Sequence, residues 1–386
     1  MTDIELTADE RQELLTLLCS LIQHPSENPP GNENAVAHYI ANILQTEGIE
    51  THIHDVVPER PNVVAILKGQ KPGKRLILNG HSDVVPCGEG WSVEPFAAVI
   101  DGDRVIGRGA ADMKSGVAAM MYAAMLIHRR QYAFNGEIVL LFNVDEERVN
   151  LGMEHFVAQG VEADYAIIGE PTSLEICIAH KGVSRTRLIT HGTAGHAAKV
   201  REPDSAIDKM AHLLPAVLQE CQRVKQKTHE LLGNASMLVT TITGGSAPNI
   251  VPQSCCIEID RRVLPGETRN AINTSLQAAL QPVGLTAKKD YSLENYLFIP
   301  ASAIDAAHPL VDAAERAVTA VTGSAKKTVF EATCEAPFFS VGCQIPTLIV
   351  GPGDLSQAHV KDEFVRIEEL HQAAQIYASL ALDLLK

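Results

Sequence analysis

The order of apolar and polar residues predicts a chain in which helices alternate with strands. In residues 8–23, Leu14, Leu17, Leu18 and Leu21 recur at helical spacing, as on one face of an amphipathic helix. The further predicted helices of this kind cover residues 34–47, 114–130, 151–159, 309–321 and 367–385, and the predicted strands cover residues 62–67, 75–79, 137–144, 165–168 and 346–350. Such alternation is typical of an α/β sheet that helices cover on both faces.

The pattern changes near residue 180. Residues 183–191 alternate polar with apolar side chains, which predicts a half-exposed strand. The elements predicted after it are a helix at 203–228, strands at 237–243 and 255–263, a helix at 268–281 and a strand at 286–291. The order β-α-β-β-α-β is that of a ferredoxin-like unit. We therefore predict two domains: an α/β domain formed by residues 1–179 and 296–386, and an inserted α+β domain formed by residues 180–295.

Composition narrows the function. The 386 residues include 32 Lys and Arg against 47 Asp and Glu, a formal net charge of −15. This charge argues against nucleic acid and against an anionic membrane as partners. No stretch reaches the roughly 18 apolar residues of a membrane span, and residues 1–20 lack the features of a signal peptide. The 8 cysteines form no CxxC pair, so we expect reduced thiols and a cytoplasmic location.

Imidazole and carboxylate groups are concentrated where the predicted strands end. The residues concerned are His81, Asp83, Asp112, Glu146, Glu147, Glu170 and His359. Each alone is more typical of a loop or a solvated turn. Because an open α/β sheet gathers its strand ends at one edge, we expect them to cluster, and such a cluster is costly without a cation. This donor set suits zinc, with cobalt or manganese as alternatives.

The motifs around these residues resemble those of the M20 metallopeptidase family, in the same order. The matching segments are NGHSDVVP (79–86), GRGAADMKSG (107–116), VDEE (144–147), IIGEPTS (167–173), GTAGHAA (192–198), NIVP (249–252), DRRVLPGE (260–267), CEAPF (334–338) and GPGDLSQAHVKDEF (351–364). The resemblance implies a zinc-peptidase-like α/β catalytic domain, an inserted lid and dimerisation domain, and a homodimer.

The resemblance also implies two divalent metal ions, with zinc as the expected metal. His81, Asp112 and Glu170 would complete one metal site. Asp112, Glu147 and His359 would complete the other, so that Asp112 bridges the two ions.

Further residues match family positions that act on the substrate. Glu146 would be the general base, and Asp83 would fix the tautomer of a histidine ligand. His196 would reach the site of a partner copy and stabilise the oxyanion, Arg262 would bind a substrate carboxylate, and Asn249 would contact the substrate. The alternatives are a turn residue for His196, a solvated strand residue for Arg262 and a turn former for Asn249.

Within this family, the stretches 166–175, 179–182, 335–338 and 351–359 look most like acetylornithine deacetylase, an enzyme of arginine biosynthesis. Glu335 would then pair with the ammonium group of a small N-acyl amino acid. Succinyl-diaminopimelate desuccinylase, an aminoacylase or dipeptidase, and a non-catalytic metal-binding relative are the alternatives. An oxidoreductase and a serine hydrolase are disfavoured, because the chain lacks a suitably placed GxGxxG and a GxSxG.

Overall fold

The computed structural model describes residues 4–386, so the first three residues of the predicted α/β domain lie outside the described residues. The chain divides into two compact units. The first unit comprises Met1–Ala179, Ala303–Phe330 and Cys334–Lys386, and the second comprises His180–Ser302 and Glu331–Thr333. Across the described residues, every helix is too short or too polar to cross a membrane.

Residues 4–386 form eight α-helices and twenty strands. The helices are α1 (Ala8–Ile22), α2 (Asn34–Thr46), α3 (Ser115–Arg129), α4 (Leu151–Val157), α5 (Ala206–Val224), α6 (Arg269–Leu280), α7 (Pro309–Thr322) and α8 (Ile367–Leu384). The strands are β1 (Glu50–Val57), β2 (Arg60–Lys68), β3 (Arg75–His81), β4 (Val99–Asp101), β5 (Arg104–Ile106), β6 (Glu137–Asn143), β7 (Tyr165–Ile168), β8 (Ile176–His180), β9 (Gly182–His191), β10 (Gly195–His196), β11 (Thr228–His229), β12 (Gly233–Asn234), β13 (Ser236–Gly244), β14 (Ile250–Val251), β15 (Ser254–Val263), β16 (Tyr291–Ile299), β17 (Ser302–Ala303), β18 (Lys327–Phe330), β19 (Thr347–Ile349) and β20 (Phe364–Arg366).

A nine-stranded sheet is the centre of the first unit. Its strand order is β1-β2-β6-β3-β7-β19-β8-β17, and β18 pairs with β8. The four middle strands β6, β3, β7 and β19 are parallel to one another, whereas β1 and β2 are antiparallel to their neighbours. Since the carboxyl ends of the parallel strands share one edge, residues that follow these strands lie near one another.

Helix α3 lies in the core of this unit. It packs against β3 and β6 on one side and against α1 and α8 on the other, and its residues from Ser115 to Ile127 are buried. The sequence explains this placement, because alanine, methionine and other apolar residues occupy nearly all sides of the helix, and a helix of this kind is stable only when it is enclosed.

The second unit has a four-stranded antiparallel sheet in the order β13-β15-β9-β16. Buried and less buried residues alternate along β15, as expected for a sheet with one covered face. Helix α5 packs against β13, β9 and β15, and α6 packs against α5 and β16. The predicted α/β class is confirmed, and the longer elements of the second unit follow the predicted order as β9, α5, β13, β15, α6 and β16.

The strand predicted at residues 286–291 is wrong. Residues 286–290 form a turn in which the backbone N–H of Thr286 donates to Asp290 at 2.9 Å. The strand β16 begins at Tyr291, which pairs with Thr190 of β9, and it continues to Ile299. Pairing with β9 decides this register, and the second unit accordingly extends to Ser302.

Candidate metal centre

The connectivity of the parallel strands delivers five polar side chains to one edge of the sheet. His81 is the last residue of β3, Glu146 and Glu147 come shortly after β6, and Glu170 follows β7 by two positions. His359 lies in the segment that continues from β19. The sequence predicted this gathering, because each of these residues follows an apolar run of strand length.

Asp112 joins the group from the turn that precedes α3. The turn begins at Gly109, whose φ is +84°, and a Cβ added there would lie 2.7 Å from the side chain of Val84. The carboxylate of Asp112 lies between two imidazoles. Its Oδ1 is 3.0 Å from Nε2 of His81, and its Oδ2 is 3.3 Å from Nε2 of His359.

Two glutamates lie beside the two imidazoles, one next to His81 and the other next to His359. Oε1 of Glu170 is 3.7 Å from Nε2 of His81, and Oε2 of Glu147 is 3.0 Å from Nε2 of His359. One ligand atom each from His81, Asp112 and Glu147 lies within 4.8 Å of the other two. The same holds for His81, Glu146 and Glu170. The side chains therefore offer enough converging donor atoms for a cation on either side of Asp112.

Asp83 contacts both His81 and the backbone of Glu146 and Glu147. Its backbone carbonyl oxygen accepts from Nδ1 of His81 at 2.9 Å, while its carboxylate Oδ1 lies 3.7 Å from the same nitrogen. With Nδ1 engaged in this way, Nε2 is the ring nitrogen of His81 that faces Asp112. The carboxylate of Asp83 accepts from the backbone N–H groups of Glu146 and Glu147 at 3.1 and 3.2 Å. Asp83 therefore positions both the histidine and the turn that carries the two glutamates.

Asn28 extends the support, and sequence reasoning did not find it. Its Nδ2 donates to Oδ2 of Asp83 and to Oδ1 of Asp145, both at 2.9 Å. Asp145 also accepts from Arg60 at 2.8 Å, and Arg60 forms an ion pair with the buried Glu33. In the sequence, Asn28 indicates only a turn, because it precedes two prolines; the partners that reveal its role are 55 and 117 residues away.

The carboxylates oppose one another electrostatically. Burial, followed by the charge of Glu335, raises the pKa of Glu146 well above its usual range. Burial and the charge of Asp112 raise the pKa values of Glu170 and Glu147 in the same way. Such mutual repulsion is the condition that a bound cation relieves.

The pKa values of the two imidazoles are also raised, which for a histidine favours the charged form. Burial alone would lower the pKa of His81, but the hydrogen bond to Asp112 and the charge of Glu170 raise it well above its usual range. Hydrogen bonds to Asp112 and Glu147 raise the pKa of His359 to about 10. Positive charge is therefore favoured at the positions of the two Nε2 atoms.

Several buried carboxylate oxygens are also unpaired. Among the described residues, Oε1 of Glu147 has no hydrogen-bond partner, and the carboxylate of the fully buried Glu335 lies beside Asn143 without a well-formed hydrogen bond. Unpaired buried carboxylates are costly. Imidazole nitrogens and carboxylate oxygens are the donors that zinc and related divalent ions accept, so this cluster fits divalent cations by its chemistry and by its unmet charge.

In the second unit, two of the predicted substrate residues lie on one short ribbon. Strand β10 pairs with β14, so that His196 lies opposite Ile250, and the backbone carbonyl oxygen of Asn249 accepts from Ala197 at 3.0 Å. The side chains of His196 and Asn249 are exposed. They are brought together on a surface from which both are available to another molecule.

The two neighbouring arginines of β15 differ. Arg261 is buried and forms a 2.6 Å ion pair with Glu267, whereas the side chain of Arg262 is 42% exposed and lies 3.4 Å from Asp260. Arg261 is thus engaged within the unit. Arg262 retains exposed guanidinium surface, as a residue that binds a small anion requires.

Comparison with protein families gives a match over most of the chain. The model of peptidase family M20/M25/M40 matches residues 77–383. Among curated proteins, the acetylornithine deacetylase of Vibrio cholerae is 32% identical over 354 residues, which is 90% of this chain and 90% of that protein.

Two further similar proteins are named for other activities. The N-formyl-4-amino-5-aminomethyl-2-methylpyrimidine deformylase of Halalkalibacterium halodurans is 29% identical over 403 residues, covering 94% of this chain and 92% of that protein. A solved structure of an M20 family metallo-carboxypeptidase from Sulfolobus solfataricus superposes with a TM-score of 0.79 over 96% of this chain and 99% of that one, at 20% identity. At that identity, the likeness describes the fold.

Proposed function

The chain belongs to peptidase family M20/M25/M40, and from this premise we propose that it removes the acyl group from a small N-acyl amino acid, with N-acetylornithine as the first candidate substrate. Membership makes the protein a metal-dependent amidohydrolase. The observation that carries the proposal is the carboxylate of Asp112, whose two oxygens face the imidazoles of His81 and His359 separately.

We assign the ligands of two divalent ions from this geometry. His81, Asp112 and Glu170 would hold one ion, and Asp112, Glu147 and His359 would hold the other. Zinc is the expected metal, and cobalt and manganese are the alternatives. When bound, two such ions polarise the scissile carbonyl group and lower the pKa of a water molecule.

Glu146 is the proposed proton carrier. A ligand atom of Glu146 lies within 4.8 Å of atoms of His81 and Glu170, and burial raises its pKa so that the carboxyl group can hold a proton. Glu146 accepts a proton from the attacking water as the water oxygen bonds to the acyl carbon. It then donates that proton to the nitrogen as the C–N bond breaks, which leaves a carboxylic acid and a free amine.

Glu335 supports a substrate with a second amino group. Its carboxylate is fully buried and lies beside Asn143 without a well-formed hydrogen bond, and its charge raises the pKa of Glu146. An ammonium group such as that of ornithine would satisfy both oxygens. In the second unit, Arg262 would bind the substrate carboxylate, Asn249 would contact the substrate, and His196 would stabilise the oxyanion.

A second copy of this chain is the proposed partner. Strand β13 lies at the edge of the second unit's sheet, and its residues Leu238 and Ile242 are 55% and 59% exposed. An unpaired edge strand with exposed apolar residues favours pairing with another strand. His196 would then act in the site of the partner copy.

The homodimer is tested by light scattering of the purified protein. We expect about twice the chain mass of 41.6 kDa for the wild type and a monomer for Leu238→Asp. The matched control is Val341→Asp, which alters an equally exposed apolar residue of the first unit and should stay dimeric. A wild type that is monomeric and fully active contradicts the dimer.

Catalysis is tested with metal-depleted protein, with and without added Zn²⁺ or Co²⁺. The substrates are N-acetylornithine, N-succinyl-diaminopimelate, N-acetylmethionine, a dipeptide and the N-formyl aminopyrimidine. We expect metal-dependent release of acetate from N-acetylornithine and a loss of at least about 100-fold in kcat for Glu146→Ala. Preference for another substrate moves the assignment to that activity, and absence of all turnover in the metal-loaded protein overturns the hydrolase assignment for these substrates.

The role of Glu335 has its own comparison. Glu335→Gln should lower kcat/KM for N-acetylornithine by at least about 10-fold more than for N-acetylmethionine, which has no ammonium group. An equal loss on both substrates contradicts the pairing of Glu335 with a substrate cation.

A further inference from the structure

The side chain of Glu363 is fully buried, and one short loop surrounds its carboxylate. Oε1 accepts from the backbone N–H groups of Ala111 and Asp112 at 2.9 and 3.0 Å. Oε2 accepts from the backbone N–H of Gly109 at 3.1 Å and from Nη1 of Arg108 at 2.6 Å. All four donors belong to residues 108–112, the turn that carries the central carboxylate of the metal centre.

The turn of residues 108–112 cannot itself supply acceptors for these backbone N–H groups. The backbone of Asp112 has φ −117° and ψ 95°, and Met113 is also outside the helical region, so no regular helix includes them. Buried backbone N–H groups need an acceptor, and Glu363 provides one for three of them. The conformation that presents the side chain of Asp112 to both histidines therefore depends on a carboxylate that is 251 residues away.

Glu363 also belongs to the segment that carries His359. Arg108 strengthens the connection, because its Nη1 donates to the backbone carbonyl of Val360 at 3.1 Å as well as to Glu363. The backbone N–H of Gly107 donates to the backbone carbonyl of Glu363 at 2.9 Å. The two segments are thus joined by side-chain and backbone bonds immediately beside the 3.3 Å approach of His359 to Asp112.

We propose that Glu363 is a positioning residue that fixes the distance between Asp112 and His359 and thereby sets the affinity of the metal ion that these two residues share. The inference rests on the proposed two-metal function. Glu363 touches neither the ion nor the substrate in this proposal. It acts only by holding one ligand-bearing loop against the other.

Glu363→Gln is the informative change, because the two side chains have the same shape. The amide oxygen can still accept from one pair of donors, but the amide NH₂ cannot accept from the other pair. Loss of partners that orient a ligand weakens metal binding by about 10–100-fold. Glu363→Asp keeps the charge with a shorter side chain, so it should restore part of the affinity.

Another buried carboxylate offers a matched control. Glu220 in the second unit is 4% exposed and accepts from Arg223 at 2.6 Å and from the hydroxyl of Ser275 at 2.7 Å. Glu220→Gln makes the same chemical change in a buried, arginine-paired carboxylate. It leaves residues 107–114 and 355–363 untouched, so metal affinity should stay at the wild-type value.

The experiment is a Co²⁺ titration of metal-free protein, followed by calorimetry and by the visible absorption of bound cobalt, with thermal unfolding measured on the same samples. We expect two ions per wild-type chain, and in Glu363→Gln one site weakened by about 10–100-fold with the other changed by less. The cobalt affinity of Glu363→Asp should lie between those of the wild type and Glu363→Gln. Glu363→Asp also provides the affinity measurement if Glu363→Gln does not fold.

Three outcomes overturn the inference. The first is a folded Glu363→Gln with both cobalt affinities equal to those of the wild type. The second is a Glu220→Gln that weakens cobalt binding as much as Glu363→Gln does, which would indicate a general effect of stability. A wild type that binds fewer than two ions rejects the two-metal function itself, and the inference falls with it. The number of cobalt ions bound per wild-type chain therefore tests the two-metal function. The ratio of variant to wild-type cobalt affinity tests the role of Glu363.

Discussion

His180 is a buried histidine outside the metal centre. It is the last residue of β8 and is fully buried. Its Nδ1 lies 2.9 Å from the backbone carbonyl of Lys181, and its Nε2 has no hydrogen-bond partner among the residues that the structure describes. Burial lowers the pKa of His180 to about 4. The folded protein therefore contains a neutral imidazole under conditions in which the unfolded chain binds a proton.

This difference predicts a loss of stability in mild acid. Above pH 6.5 the imidazole is neutral in both states, whereas between 6.5 and about 4 only the unfolded state takes up the proton. Lowering the pH through this window should therefore reduce the free energy of unfolding, by up to about 3 kcal/mol from His180. Denaturant unfolding at several pH values should show a shallower fall for His180→Asn. The exposed His38 provides the control, and a His38→Asn profile as shallow as that of His180→Asn would contradict the assignment.

At the level of single residues, the sequence identifies side chains that bind a ligand more readily than it identifies the side chains that position them. His81 and His359 follow strand-like runs within motifs, and these features were sufficient to predict that they come together. The side chains of Asn28 and Glu363 act through partners 55 to 255 residues away in the chain. No local pattern distinguishes such residues from a turn or a solvated acid, so their function emerges only once the strands are paired.

Elements that depend on local chemistry were predicted closely. The helix predicted at residues 8–23 is observed as Ala8–Ile22, where Thr7 and Glu10 form a capping box. The strand β1 was missed, because its residues are mostly half-buried or exposed and have no strong alternation. It exists through antiparallel pairing with β2. Nearby residues determine where a helix ends, whereas an edge strand forms because a distant strand pairs with it.

The contact between α3 and the end of β7 is an element-scale constraint that one substitution can test. A Cβ added to Gly116 would lie 2.2 Å from the carbonyl oxygen of Gly169, next to Glu170. Gly116→Ala should therefore push α3 away from this segment. The free energy of unfolding should fall by about 1–3 kcal/mol or more, and Co²⁺ affinity should fall with it because Glu170 moves.

Gly342→Ala is the control for this experiment. The nearest atom to its added Cβ is 3.8 Å away, so the midpoint of denaturant unfolding should stay close to wild type. If Gly116→Ala unfolds at the same denaturant concentration as Gly342→Ala and binds Co²⁺ normally, the close contact does not constrain the site.

At the scale of the whole molecule, net charge and site charge have the same sign. The chain has a formal net charge of −15, and within the first unit Asp112, Glu146, Glu147 and Glu170 meet at one sheet edge. Their mutual repulsion favours unfolding when no cation is present. Composition predicted the overall sign, but the concentration of charge at one edge follows from strand order, which composition does not encode.

Removing metal should therefore destabilise the folded protein. Two ions held at 100 times their dissociation constants contribute about 5 kcal/mol, which corresponds to a fall of roughly 10 °C in Tm on chelation for a domain of this size. Asp112→Asn should respond differently, because it removes a shared ligand and the charged contacts of Asp112 with His81 and His359: its metal-free Tm should lie at or below that of the metal-free wild type, and added Zn²⁺ should raise it little. Differential scanning fluorimetry with a chelator and with excess Zn²⁺ measures both proteins. An unchanged wild-type Tm on chelation, or an equal response in Asp112→Asn, would mean that the carboxylate cluster is not where metal binding stabilises the fold.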